Sequence, residues 1–195
     1  MKKDTILTMI VALGLITVVA SALLAWVYDT TKEPIAKAEA EAKTAAIKAV
    51  APEFNNVPGD DMKEITLAGD DKTVIVYPAM KDGQLVGAAV ESYSMSGFSG
   101  EIDLMYGFDA EGNVTGYSVL KHAETPGLGA KMDTWFQKDG KGNVIGKNAG
   151  DAGLTVSKDG GDVDAITAAT ITSRAFLDAL NRADRAFKQY KETAK

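Results

Sequence analysis

From Thr5 to Tyr28 the chain runs for 24 residues without a charge. Large apolar side chains fill the run, from Ile6, Leu7 and Met9 through Val18 and Val19 to Leu23, Leu24 and Val27. About 20 such residues in a helix cross the hydrocarbon core of a bilayer. Trp26 and Tyr28 close the run, where amphipathic rings favour the membrane–water interface. The run predicts one membrane-spanning helix, with residues 1–28 as the anchor. The competing reading is a cleaved signal peptide with Ala20-Ser21-Ala22 as its small-x-small site. The apolar run continues past that site, which favours a retained anchor. Lys2, Lys3 and the terminal amine precede the span, while Lys32, Lys37 and Lys43 follow it. A short basic head with a large domain behind it favours N-terminus inside and domain outside.

Charge and cysteine content narrow the remaining 167 residues. The chain has 21 Lys and Arg against 27 Asp and Glu, a net charge of -6. Lys2, Lys3 and Asp4 give the first 28 residues +1, so the rest carries -7. That sign excludes a general nucleic-acid binder. The lack of cysteine excludes disulfides, thiolate catalysis, cysteine-ligated clusters and thiolate zinc sites. His122 is the single histidine, so a multi-histidine metal site is excluded as well. Any redox role must rest on a bound organic cofactor. At 20.5 kDa the chain has room for one globular domain beside the anchor.

Residues 29–58 read as a membrane-proximal helix and linker, and 59–195 as the outer domain. Pro34 fits a helix first turn, and the alanines from Ala36 to Ala49 carry the helix onward. Pro52 ends it, and Asn55–Asp61 is a loop. Strands are predicted at Ile65–Leu67, Thr73–Tyr77, Leu85–Tyr93, Ile102–Phe108 and Val114–Leu120. Hairpin turns are predicted at Lys81-Asp82-Gly83 and Asp109–Asn113. Val144-Ile145 and Leu154–Val156 are shorter strand candidates. Phe176, Leu180, Ala183, Phe187 and Tyr190 recur at spacings of 4, 3, 4 and 3, the mark of an amphipathic helix. Asp178, Arg182, Arg185 and Lys188 take its polar positions, and Thr170 or Thr172 its cap. The fold class is α+β: an antiparallel-rich sheet with a C-terminal helix, behind one transmembrane helix. Neither GxGxxG nor GxxxxGK[ST] is present, so neither a dinucleotide fold nor a P-loop is indicated.

Three strings carry chemistry. The first is Asp164-Ala165-Ile166-Thr167-Ala168-Ala169-Thr170-Ile171-Thr172-Ser173. Four hydroxyls run into the start of a helix, whose free N–H groups and positive end suit a phosphate. By spacing alone this is also an ordinary hydroxyl-rich cap. The second is Lys121-His122-Ala123-Glu124-Thr125-Pro126-Gly127-Leu128-Gly129, a tight Pro-Gly turn that by itself is an ordinary loop. The third is Ser94-Met95-Ser96-Gly97-Phe98-Ser99-Gly100, where two glycines bracket an aromatic. Phe98 suits stacking against a ring edge, or the string is a flexible strand connection.

Together the three resemble the FMN-binding subunits of Rnf complexes and of sodium-pumping NADH:quinone reductases. The first string is similar to their flavin-attachment motif, roughly D-x-[ST]-G-A-T-x-T-S. The resemblance implies that FMN is joined through its phosphate to Thr170. It also implies that Asp164 is the acidic residue recognised by the attaching flavin transferase and that Thr167 is the small hydroxyl position. Ala169, Thr172 and Ser173 complete that segment. The sequence departs from the motif at Ala168, where the family usually has Gly. If the site needs a positive φ, a Cβ there costs about 1 kcal/mol or more.

The second string resembles the family's H-x-E-T-P-G-L-G segment. This implies that Glu124, Thr125 and Leu128, with Gly127 in the turn, line the isoalloxazine side. The third resembles its G-[FY]-x-G loop and adds Gly97 and Phe98. The three lie in family order and spacing, and with the anchor they span most of the chain. The short length favours the Rnf G subunit over its quinone reductase counterpart. The resemblance implies a redox subunit, not able to catalyse a full reaction alone. The implied complex moves electrons between ferredoxin and NAD and couples that flow to sodium or proton transport. Its expected partners are other membrane and peripheral Rnf subunits, the flavin transferase and the lipid bilayer, with no nucleic acid. The expected place is a bacterial or archaeal cytoplasmic membrane, single-pass, with the FMN domain on the extracytoplasmic side. The residues themselves leave open the quinone reductase subunit, a tethered flavoprotein of another electron chain, and a membrane-anchored binding or assembly domain without flavin.

Overall fold

A computed structural model of the chain describes residues 3–70 and 72–193. It divides into two units, residues 1–42 and 43–195. Helix α1 runs from Lys3 to Val50. Its stretch from Ile6 is the one helix, among the described residues, long and apolar enough to cross a membrane. Leu13, Ile16, Leu24 and Trp26 are all exposed on it, as lipid-facing side chains would be. Lys2, read as part of the basic head, lies outside the described residues. Pro34 does not open a new helix; it lies inside α1. Its missing N–H leaves the Thr30 carbonyl without an in-helix donor.

The second unit is built on five antiparallel strands in meander order β1 to β5. They are β1 (Lys63–Ile65), β2 (Val74–Lys81), β3 (Gln84–Gly97), β4 (Gly100–Asp109) and β5 (Val114–Lys121). The first strand thus lies two residues before its expected place. Asp82 and Gly83 both have positive φ, which gives the β2–β3 connection the hand of a tight hairpin turn. The 94–100 string is not a flexible connection: Gly97 pairs with Gly100, and Phe98-Ser99 forms the tip of the β3–β4 hairpin. Val144-Ile145 and Leu154–Val156 form no strands. The Val144 N–H bonds to the Phe136 carbonyl, the Leu154 N–H bonds to the Asn181 side chain, and Val156 makes one isolated bridge to Val163.

Both faces of the sheet are covered. Helix α3 (Thr170–Thr193) lies on one face, with Phe176, Leu180, Ala183 and Phe187 fully buried. Phe176 stacks on Phe136 at 4.1 Å and meets Tyr117 edge-on at 4.8 Å. The Tyr106 hydroxyl donates to the Phe176 carbonyl, and Ser92 donates to that of Ala179. Arg182, at one of the polar positions, pairs with Asp70 and Asp178 and lies over the Tyr93 ring. On the other face the last turn of α1 buries Ala46, Ile47 and Val50 against Tyr77, Ala89 and Met105. Gly107 permits that approach, since a Cβ there would collide with the Val50 carbonyl. Double coverage is why polar–apolar alternation along β4 is imperfect: five consecutive residues, Leu104–Phe108, are buried.

Candidate functional site

The two hairpin and turn strings and the start of α3 meet at one end of the sheet. They enclose an open cleft of about 320 Å³, within the range of small-molecule sites. Phe98 comes from the β3–β4 hairpin, and Glu124, Thr125 and Leu128 come from the turn after β5. Ala168, Ala169, Thr170 and Thr172 come from the third side. Gly129 and Ile171, which sequence reasoning did not single out, complete the wall. Phe98 is 68% exposed, Ile171 48% and Leu128 41%, so the rim is apolar and uncovered. Gly97 and Gly127 support the hairpin and the turn without lining the cleft.

Glu124 joins the three segments. It is buried, and its two carboxylate oxygens have different partners. Oε1 accepts the Ser99 N–H of the hairpin tip at 2.9 Å. Oε2 accepts the Thr172 hydroxyl of α3 at 2.6 Å. Gly129 leaves the room for this: a Cβ there would strike both Glu124 Oε2 and Thr172 Oγ1. His122 serves the same turn, its Nδ1 accepting the Glu124 N–H at 3.0 Å. That bond requires an unprotonated Nδ1, and it makes His122 a brace within its own loop.

The hydroxyls of the 164–173 string fall into different environments. Ser173 is fully buried; it accepts the Ile166 N–H and donates to the Ala169 carbonyl. Thr172 is buried and committed to Glu124. Thr167 is exposed and lies outside the cleft wall. Thr170 is half-buried, lines the cleft and is the first residue of α3. Neither Thr170 nor Thr172 is the helix cap. The first α3 bond runs from the Ser173 N–H to Ala169, whose carbonyl takes the cap position. Ala168 has φ of +63°, the left-handed conformation that a Cβ disfavours. Asp164 lies at the surface, where its side chain accepts Ser157 Oγ and its carbonyl accepts the Trp135 indole N–H.

A turn missed at the sequence level holds this string. Ser157–Asp159 form one 3-10 turn, and each residue takes hold of a different point. Ser157 bonds to Asp164 at 3.2 Å, and Lys158 Nζ donates to Thr170 Oγ1 at 3.0 Å. Arg174 Nε and Nη2 donate to the two oxygens of Asp159, both at 2.7 Å. The guanidinium holds the Asp159 carboxyl below its usual pKa range, chiefly through that hydrogen bond, with desolvation opposing it and the charges of Arg174 and Lys158 adding to it. Nothing in the spacing of Lys158-Asp159-Gly160-Gly161 ties this turn to Thr170.

The site accommodates FMN-like chemistry. Apolar exposed side chains line one part of the cleft, and a lysine and a helix start adjoin Thr170, the cleft-lining hydroxyl that is not committed to Glu124. A family model described as FMN-binding domain matches residues 97–184, which take in the first two strings whole and the third from Gly97 onward. The chain is similar along nearly its whole length to proteins named as the G subunit of the ion-translocating oxidoreductase complex. The protein of that name from Aliivibrio fischeri is 34% identical, covering 98% of this chain and 92% of the relative. That from Methanosarcina acetivorans is 37% identical, covering 89% and 90%. That from Pseudomonas aeruginosa is 35% identical, covering 92% and 87%.

Proposed function

Because this chain belongs to the G-subunit family of ion-translocating oxidoreductase complexes, we propose that it is the electron-transfer subunit carrying a covalent FMN on Thr170. The observation that carries this reading is the cleft itself. Of the four hydroxyls in the attachment-like string, Thr170 alone both lines the cleft and remains outside the buried hydrogen-bond network. Asp164, exposed on the same segment, is the point the flavin transferase reads. Thr167 fills the motif's small hydroxyl position.

FMN, when bound, supplies one- and two-electron redox chemistry. The chain's own residues supply attachment and placement. Thr170 Oγ1 forms the ester bond to phosphorus and gives up its proton. The transferase's donor holds the FMN phosphate activated as an anhydride, and its other half leaves with the bonding pair. Glu124 locks the hairpin tip and the turn to α3, so Phe98, Thr125 and Leu128 keep a fixed relation to Thr170. The exposed apolar rim suits a flat ring that must still exchange electrons with a neighbouring subunit. A covalent link prevents loss of the cofactor from a domain outside the cytoplasm.

The domains are the anchor at 1–28, the membrane-proximal helix and linker at 29–58, and the FMN domain at 59–195 on the extracytoplasmic side. In the complex this subunit passes electrons on a route between ferredoxin and NAD that is coupled to sodium or proton transport. It lacks a nicotinamide fingerprint of its own, so NAD is handled by another subunit.

Peptide mass spectrometry after expression with the native flavin transferase tests the assignment. The expected result is an increase of about 438 Da on Thr170, FMN less one water. Thr170→Val should abolish it and leave a folded domain. Modification mapped to Thr172, or full modification of Thr170→Val, contradicts the assignment.

A further inference from the structure

The structure assigns Lys158 as a positioning residue: its ammonium orients the Thr170 hydroxyl for attachment and then serves as counter-cation to the phosphoester formed there. This rests on the reading of Thr170 as the attachment residue.

Geometry carries the inference. Lys158 and Thr170 are 12 residues apart, yet Nζ donates to Oγ1 at 3.0 Å. The turn that presents the lysine is fixed at both flanks, by Ser157 on Asp164 and by Asp159 on Arg174. Asp159 is the nearest carboxylate in sequence; it takes two bonds from Arg174, while the Lys158 ammonium hydrogen-bonds to Thr170.

Charge supplies the need. A phosphodiester adds a negative charge to a domain, residues 59–195, already at -6. The start of α3 offers a partial positive end at Thr170, and an ammonium there adds a full charge. Any phosphoryl group bonded to Oγ1 carries its charged oxygens two bonds from an oxygen that the lysine already touches. The two ends of the attachment segment are also clasped by one turn. The residue proposed for transferase recognition, Asp164, and the hydroxyl to be esterified are thereby held in a fixed relation.

The test compares full-length wild type with the Lys158→Gln, Lys158→Ala and Lys158→Arg proteins, each expressed with the flavin transferase. Lys158 is exposed, so these changes leave the core intact, and circular dichroism checks each fold. Intact mass gives the loaded fraction at a fixed early time, and phosphorus-31 NMR reports the ester's surroundings. Losing a charge-assisted hydrogen bond predicts about ten-fold slower loading in Lys158→Gln and Lys158→Ala. The phosphorus resonance of the fraction that does load should shift. Lys158→Arg should recover loading to within about two-fold, because it restores the charge. Wild-type loading rates and an unmoved resonance in Lys158→Gln would overturn the lysine's role and leave Thr170 standing. Equal loss in all three variants with an unmoved resonance would also overturn it, since only the shape of the turn would then matter. Wild-type protein without modification on Thr170 would instead remove the underlying attachment reading.

Discussion

Ala168 sits at φ of +63°, in a motif whose family pattern has glycine at that position. The left-handed conformation costs a residue with a Cβ about 1–2 kcal/mol. Glycine's greater freedom in the unfolded chain costs about 0.4–1 kcal/mol, so the strain outweighs the entropy. Ala168→Gly should therefore stabilise the domain by about 0.5–1 kcal/mol in urea denaturation. A loss of stability would mean that Ala168 is not strained there. Glu124 shows a different limit of residue-scale reading. The string in which it lies marked it as a wall of the cleft, which it is. Its partners, the Ser99 amide and the Thr172 hydroxyl, are 25 and 48 residues away and follow from no local pattern.

The body of helix α3 is legible because its apolar period survives in the linear sequence, and the apolar stripe coincides with the buried face; its cap is not. Leu180 lies at the centre of that face and is completely buried. Leu180→Ala should cost about 2–5 kcal/mol, the sum of lost transfer energy and a residual cavity. A difference below about 0.5 kcal/mol in chemical denaturation would show that the face is wrongly placed. The sheet was legible as strands, and less so in its edges. β3 carries buried residues from both faces, and its bulge near Ser94 lets it run on to Gly97. Where two faces are covered, burial no longer alternates, so the period-2 signal weakens. The short candidates at 144–145 and 154–156 failed for another reason. Their apolar side chains Val144, Leu154 and Val156 are buried in the core from irregular segments that bond to loops and to α3.

For the molecule as a whole, the anchor is the feature that fixes where the chemistry can take place. Residues Ile6–Tyr28 should be retained in the mature protein. Intact mass of protein extracted from membranes checks this, and a mature N-terminus near Leu23 would contradict it. The outer domain, residues 59–195, carries a net charge of -6, and among the described residues Phe98, Leu128 and Ile171 form an apolar exposed rim at the cleft.

The sequence by itself determined what depends on short-range order. The uncharged run defines the apolar stretch of α1, helical periodicity defines the body of α3, paired turn residues define the β2–β3 and β4–β5 hairpins, and the absence of thiols removes whole classes of chemistry. The three strings could each be read locally as a loop, a strand connection or a cap. Tertiary structure decided that they share one cleft, because the β3–β4 hairpin, the turn after β5 and the start of α3 are brought to the same end of the sheet. It also separated four similar hydroxyls. Thr172 and Ser173 are drawn into buried bonds, Thr167 faces solvent, and Thr170 opens on the cleft beside Lys158. A hydroxyl's chemistry depends on its burial and partners, and those are set by contacts between segments that lie far apart along the chain.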